Sequence, residues 1–222
     1  MKRRDFSALL AATPLAGTLG TAHAQGGPVE GRHYTALSQP LPAQAGKIEV
    51  VEFFWYGCPH CYAFEPQVEA WTRQLPADVA FRKVHVAFRA NVRSHQRMFY
   101  ALEALGKEAA TRPAIFAAMH QQGLPLDDAK SQAKFLAGLG VGVDPAKYQD
   151  AYNSFGVQTK CTQAEKLSEA YRIDGVPCIG VGGRFLTAPS MASGGQRLPE
   201  HELGQRALQV TDFLINRART KA

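Results

Sequence analysis

The sequence predicts an α/β fold in which one sheet draws strands from both ends of the chain and a block of helices is inserted between its halves. Three observations predict it. An apolar run at Ile48–Trp55 leads through a helical pattern into a second apolar run at Val79–Phe88. The stretch from 90 to 156 carries helix starts and no convincing strand, and a short hairpin and an amphipathic helix end the chain.

Each element has its own warrant. Lys2, Arg3 and Arg4 precede a mostly apolar stretch from Phe6 to Leu19 and the small-residue triplet Ala22-His23-Ala24, the pattern of a secretory signal over residues 1–24, cleaved before Gln25. Ser7, Thr13, Pro14 and Gly17 interrupt that stretch, which falls short of the roughly 20 residues a bilayer span needs, so a retained anchor is not expected. Arg3-Arg4-Asp5-Phe6 also partly matches a twin-arginine signal, which leaves the export route open. Residues 25–46 are rich in Gly, Pro, Gln and Ala and offer at most a short edge element. In Ile48–Trp55 both alternating faces are largely apolar, as in a strand in the middle of a sheet. Tyr56-Gly57 makes a turn; from Pro59 the apolar positions Tyr62, Phe64, Val68 and Trp71 follow helical spacing, with Pro66 as a kink and Leu75-Pro76 as the stop. Val79–Phe88 completes a right-handed strand-helix-strand unit.

In the middle of the chain Ser94 is expected to cap a helix carrying Met98, Leu102 and Leu105, and Thr111 one carrying Pro113, Ile115, Phe116 and Met119. Asp144-Pro145 pairs a cap with a first-turn proline. A connecting helix from about Thr159 to Tyr171 leads to Gly175-Val176-Pro177 and a hairpin, Cys178–Val181 turning at Gly182-Gly183 into Arg184-Phe185-Leu186. Leu203, Leu208, Phe213 and Leu214 mark the last helix. That order is the order of a thioredoxin fold with a large all-helical insertion. It divides the chain into the signal (1–24), the first part of the thioredoxin domain (25–89), the insertion (90–156) and the second part (157–222).

Composition narrows the function. The chain of 222 residues has a formal charge of +6, and residues 1–24 hold three basic and one acidic residue, leaving 22 Lys and Arg against 18 Asp and Glu. That excess is modest and scattered, which argues against a nucleic-acid partner. Of the four cysteines, Cys58 and Cys61 are three residues apart at the start of a predicted helix, on one face and within disulfide range. Cys58 meets the helix N-terminus, whose free N–H groups and positive dipole end favour a thiolate; Cys61 lies one turn in, directed toward the body of the protein. Pro59 suits the first helical position, and a protonated His60 adds positive charge. A stabilised thiolate stabilises the dithiol, so the disulfide becomes an oxidant. The same spacing could be half of a zinc site, but Cys161 and Cys178 do not supply the second half.

Glu52-Phe53-Phe54-Trp55-Tyr56-Gly57-Cys58-Pro59-His60-Cys61-Tyr62-Ala63-Phe64-Glu65 resembles the active-site segment of the DsbA family, and Lys83–Phe88, the helical insertion and Gly175-Val176-Pro177 fall where that family's pattern expects them. The resemblance covers nearly the whole exported chain. It implies a periplasmic thiol:disulfide oxidoreductase with Cys58 as nucleophile, Cys61 as resolving thiol and Val176-Pro177 as a cis-proline loop whose backbone pairs with extended substrate. It implies no cofactor beyond a redox-active Cys58–Cys61 disulfide, unfolded exported proteins and a DsbB-like membrane reoxidase as partners, and a monomer. A reductase or isomerase shares the chemistry, although the short segment before the first strand leaves no room for an isomerase's dimerisation domain. A peptide-binding chaperone with incidental cysteines is the reading from another class.

Glu52 interrupts an apolar face six residues before Cys58. Buried there, it could carry the proton that Cys61 gives up and takes back; Lys83 occupies the position that pairs with this acid in DsbA-like proteins. Trp55, Tyr56 and Tyr62 are candidates to line an apolar peptide groove, with ordinary packing as the plain alternative. His85, His95 and His120 have no convergent spacing for a metal. Cys161 and Cys178 are either a second disulfide or two buried thiols, and a thiol directly after the loop proline departs from the family's commoner pattern.

Overall fold

The computed structural model describes residues 27–42 and 46–220, so the expected signal and its cleavage site lie outside the described residues. In chain order the elements are β1 (Thr35–Ala36), β2 (Ile48–Phe54), α1 (Pro59–Thr72), β3 (Val79–His85), a 3₁₀ turn (Ala90–Val92), α2 (Arg93–Ala104), α3 (Glu108–His120), α4 (Ala129–Gly138), α5 (Pro145–Asn153), α6 (Phe155–Ala170), β4 (Cys178–Val181), β5 (Phe185–Thr187), α7 (Pro189–Ala192) and α8 (Glu200–Arg219). No helix among the described residues is long and apolar enough to cross a membrane.

The sheet order is β1-β5-β4-β2-β3, with β2 and β3 parallel and the other pairs antiparallel. β2 is therefore flanked on both edges, and both of its faces are covered as well. Val50 joins Ile179 and Val181 against Phe64 and Val68 of α1 and Leu214 of α8. On the other face Val51 and Phe53 join Tyr171, the last two with ring centroids 5.2 Å apart. A strand covered twice has little solvent face to mark with polar residues, which is why its sequence reads largely apolar. Two glutamates interrupt it: Glu49, partly exposed and paired with Arg82, and the fully buried Glu52, which the register sets directly beside Lys83.

Four local expectations are corrected. β3 stops at His85, because β2 ends at Phe54 and the ladder's last support is Val86 N donating to Phe54 O at 2.9 Å; Phe88 is exposed. Ser94 is not a cap: α2 starts at Arg93 on the end of the 3₁₀ turn, with Ser94 inside its first turn. α3 starts at Glu108, so Thr111 lies within it and donates its hydroxyl back to Lys107 O at 2.9 Å. α6 begins at Phe155 rather than near Thr159, capped by Ser154, whose Oγ accepts from Val157 N at 3.2 Å. α4, capped by Asp128, had no counterpart in the sequence reading. The cap at Asp144-Pro145 is as expected, with Lys147 N donating to Asp144 Oδ1 at 2.8 Å.

Candidate active site

β2 and α1 are joined by Trp55-Tyr56-Gly57, and Cys58 is the N-cap of α1, extended at φ −86° and ψ 117°, with no side chain capping the helix. Pro59 takes the first helical position. Gly57 is required by a close approach: a Cβ there would stand 2.3 Å from the Trp55 ring, which lies across the turn. With no capping side chain, the first free N–H groups of the helix serve the Cys58 sulfur instead.

The two thiols are unequal. Cys58 is pushed down to about 6 by the hydrogen bond it accepts from the Cys61 thiol, by the backbone N–H groups of Cys61 and His60 and by the His60 charge, against the opposing effect of burial. Cys61 is fully buried, and burial together with its hydrogen bond to Cys58 pushes it well above the ordinary thiol range. One sulfur is thus a thiolate at neutral pH and the other keeps its proton. As a thiol, Cys58 donates to Val176 O at 3.4 Å, and the Val176–Pro177 peptide is cis.

Beside this pair lies a cavity of about 480 Å³, lined by Val176, Pro177, Leu186, Met191 and Leu203, with His60 and Glu200 at its edge. A wider cavity of about 770 Å³, between α6 and the sheet, has no cysteine in its wall. His60 Nδ1 lies 2.5 Å from Glu200 Oε1 in the first turn of α8, and that hydrogen bond raises the His60 pKa. Sequence reasoning missed Glu200, because nothing local ties the start of the last helix to a loop 140 residues earlier.

Beneath the thiols the buried charges form a chain. Glu52, with no exposed surface, pairs with Lys83, whose Nζ also donates to Glu65 Oε2 of α1 at 2.8 Å. Glu65 Oε1 accepts from Arg112 Nη1 of α3 at 2.9 Å. Arg112 grips Glu108 with Nε and Nη2, at 2.8 and 2.5 Å, and also reaches Glu69. Glu108 Oε1 accepts the Tyr56 hydroxyl at 2.9 Å, which returns the chain to the turn before Cys58. Burial first, then the Glu65 charge, outweigh the attraction of Lys83 and raise the Glu52 pKa, whereas Lys83 and Arg112 hold Glu65 below the usual carboxylate range. Arg112 and Glu108 were also missed. Their signal, Glu108 and Arg112 four apart on one helix face, is common in surface pairs and carries no sign of burial.

The expectation that Tyr56 lines a peptide groove is corrected. It is fully buried, its hydroxyl spent on Glu108 and its ring packed edge-on against Phe54 and Phe116. Tyr62 is half-buried on the insertion side, stacked on His120 at 4.9 Å and accepting from Gln121, away from the groove wall. One residue beyond Cys61 on the helix is a rotation of about 100°, enough to carry Tyr62 to that other side. Trp55 donates Nε1–H to His95 Nδ1 at 3.1 Å, His95 bonds Pro125 O, and His120 donates to Tyr56 O at 2.7 Å. His85 is buried and, through burial first, held neutral; it accepts from Tyr56 N at 3.3 Å. All three histidines thus have structural partners. Among the described residues no three His, Cys, Asp or Glu side chains are placed to hold a metal.

Cys161 and Cys178 are free thiols in separate surroundings. Cys178 is buried and donates to Gly175 O at 3.1 Å, and burial pushes it up to about 12. Cys161 is half-buried on α6 near Arg97, Glu165 and Arg93, and burial pushes it up to about 11.

Comparison with known proteins agrees with this architecture. Residues 49–203 match the sequence model of a family described as the DSBA-like thioredoxin domain. The chain is 42% identical over 221 residues to the thiol:disulfide interchange protein DsbA of Burkholderia cepacia, covering 99% of both chains, and 40% identical over 223 residues to that of Pseudomonas aeruginosa. A crystal structure of Pseudomonas aeruginosa DsbA superposes with a TM-score of 0.78 at 40% identity, covering 86% of this chain and 94% of that one. An oxidoreductase DsbA from Xylella fastidiosa superposes with a TM-score of 0.77 at 30% identity, covering 87% of this chain and 98% of the other. With a family match over most of its length and full-length relatives at this identity, the chain belongs to the DSBA-like thioredoxin domain family.

Proposed function

We propose that this chain is a periplasmic thiol:disulfide oxidoreductase that introduces disulfide bonds into unfolded exported proteins by dithiol–disulfide exchange at Cys58 and Cys61. One observation carries the reading: at the head of α1 a thiolate held down to about 6 stands three residues before a buried, proton-bearing thiol. A substrate thiolate attacks Cys58 Sγ of the oxidised pair, forming a mixed disulfide and releasing Cys61 as the leaving thiolate, which takes up a proton. A second substrate thiolate then attacks the substrate sulfur of the mixed disulfide. The substrate disulfide forms, Cys58 leaves as a stable thiolate, and two electrons have passed to the protein. The redox-active pair supplies this chemistry without a further cofactor.

In this reading Glu52, poised by Lys83, exchanges the proton of Cys61, while Pro59 starts the helix and His60 adds charge to the Cys58 site. The exposed-side backbone of Val176 and the apolar wall of Pro177, Leu186 and Leu203 take an extended substrate segment with little sequence preference. A DsbB-like, quinone-linked membrane protein reoxidises the pair, and the protein works as a monomer.

A reductase would use the same cysteines. The lowered Cys58 favours the oxidase, because a thiolate stable below neutral pH stabilises the reduced protein and makes its disulfide electron-hungry. Redox titration against glutathione is the test: a potential more oxidising than glutathione is expected, and a more reducing one overturns the assignment. Cys58→Ser separates the enzyme from a chaperone, since peptide binding survives in either case and only the enzyme loses turnover.

A further inference from the structure

Glu52, Glu65 and Glu108 are three buried carboxylates, and Lys83 and Arg112 are the two buried cations that face them. Glu69 also reaches Arg112, but its side chain is 41% exposed and water can solvate its charge. An unbalanced charge out of water is expensive, so a set with three acids and two bases retains one proton. The contacts decide where. Glu65 touches both cations, and Glu108 holds Arg112 with both oxygens while accepting from Tyr56. Glu52 has one cation, which it shares with Glu65, and its Oε1 is buried with no hydrogen-bond partner. An oxygen without a partner suits a neutral carboxyl far better than a carboxylate.

We propose that these five side chains form one charge-balanced set holding a single proton, that the proton resides on Glu52 beneath Cys61, and that Glu108 and Arg112 are the positioning residues that keep it there. The inference rests on the reading that Glu52 exchanges a proton with Cys61 and assigns the control of that proton to the helical insertion. The groups that face Glu52 are consistent with it. β3 contributes Lys83 and the neutral His85; α1 contributes Cys61 and Glu65; α3 contributes Arg112, with Glu108 behind it; the Tyr56 phenol is neutral, and β4 sets Ile179 opposite Glu52 and carries the neutral Cys178 thiol. Arg112 donates to both Glu65 and Glu108, and Lys83 donates to Glu65 as well. That leaves Glu52, with one shared cation and one unpartnered oxygen, as the member on which the proton is placed.

The set can be counted. With glutamate carboxyl carbons labelled with ¹³C, the wild-type protein should show one buried carboxyl protonated at neutral pH, absent from Glu52→Gln. Glu108→Gln leaves two acids and two bases, so the Glu52 midpoint should fall by about one pH unit or more. Arg112→Gln leaves three acids and one base and should show a second protonated carboxyl, while Arg112→Lys restores the count to one. The pH inflection of the Cys61-dependent step, identified by its loss in Glu52→Gln, should move down with the carboxyl midpoint in Glu108→Gln. Should Arg112→Gln fail to fold, Glu108→Gln, which keeps the shape and the Tyr56 hydrogen bond, decides alone. A folded Glu108→Gln with an unmoved Glu52 midpoint overturns the inference and leaves the role of Glu52 standing. If Glu52→Gln itself leaves the Cys61 inflection in place, the underlying reading falls and takes the inference with it.

Discussion

His60 Nδ1 and Glu200 Oε1 stand 2.5 Å apart, linking the second of the two residues between the cysteines to the first turn of α8. The hydrogen bond that His60 donates to Glu200 keeps the imidazole protonated to higher pH than usual, and the His60 charge is one of the influences that lower Cys58. Glu200→Gln should therefore return His60 toward its ordinary range and move Cys58 upward from about 6. The movement should be less than about one unit, because an exposed pair is worth only about 0–1 kcal/mol. It should also shrink in high salt. The rate of alkylation against pH, in both proteins, is the measurement; an unmoved inflection would show that Glu200 only anchors the loop.

Glu52→Gln should stabilise the protein at neutral pH and slow the steps in which Cys61 exchanges a proton. The folded pKa of Glu52 is raised above its unfolded value near 4.5, so its contribution is fully present below that value and is lost as pH rises through the folded one. Each unit of that displacement costs about 1.4 kcal/mol. Glutamine accepts from Lys83 as a neutral carboxyl does and carries no such loss. Denaturant midpoints of the two proteins should coincide in mild acid and separate in favour of the variant toward neutral pH. A variant less stable at neutral pH would mean that Glu52 is charged and held by Lys83.

How much of this was legible in the sequence depended on how local the determining contacts were. Cys58, Pro59, His60 and Cys61 occupy four successive positions whose roles follow from one helix end, and Glu52 stood out because a carboxylate broke the alternation of a doubly apolar strand. Its partner Lys83 came from resemblance and is placed by strand register. Glu65 was visible only as part of a motif. Arg112, Glu108 and Glu200 act through contacts 47, 52 and 140 residues apart, and no local pattern encodes how α3 and α8 lie against the active-site loop. Tyr56 was misassigned for a related reason: closeness to Cys58 in sequence was taken as closeness to its surface, whereas the turn sends that ring inward to Phe54 and Phe116.

Cys161 and Cys178 should remain thiols in the oxidised protein. Cys161 senses Arg97, Glu165 and Arg93 on its own side of α6, whereas Cys178 senses Asp174 and Cys58 and donates to Gly175 O, so the charged and hydrogen-bonding groups around the two thiols differ. Both are pushed above the ordinary thiol range, which slows their reaction with oxidants. Mass spectrometry after alkylation of the denatured, oxidised protein should find two labels per chain, on these residues, and the native protein should take up neither quickly. A chain without labels would place a second disulfide between them.

The difference in stability between reduced and oxidised protein should depend on pH, with a sign set by Cys58. Its folded pKa of about 6 lies below the unfolded value of 9.0, so the stabilisation it gives the reduced form is present above 9.0 and is lost as pH falls through about 6. The oxidised form has no thiolate and no such dependence. Converted at about 1.4 kcal/mol per unit, the Cys58 thiolate contributes about 1.4 kcal/mol at pH 7 and approaches about 4 kcal/mol near pH 9. Against it stands the disulfide, whose closed loop of about four residues restricts the unfolded chain by only about 2 kcal/mol. Denaturant unfolding of both redox forms should show the reduced protein gaining stability relative to the oxidised protein as pH rises from 6 to 8.5. A gap that stays constant between those values would mean that the folded state does not hold Cys58 as a thiolate, and with that the argument for an oxidising disulfide would lose its physical basis.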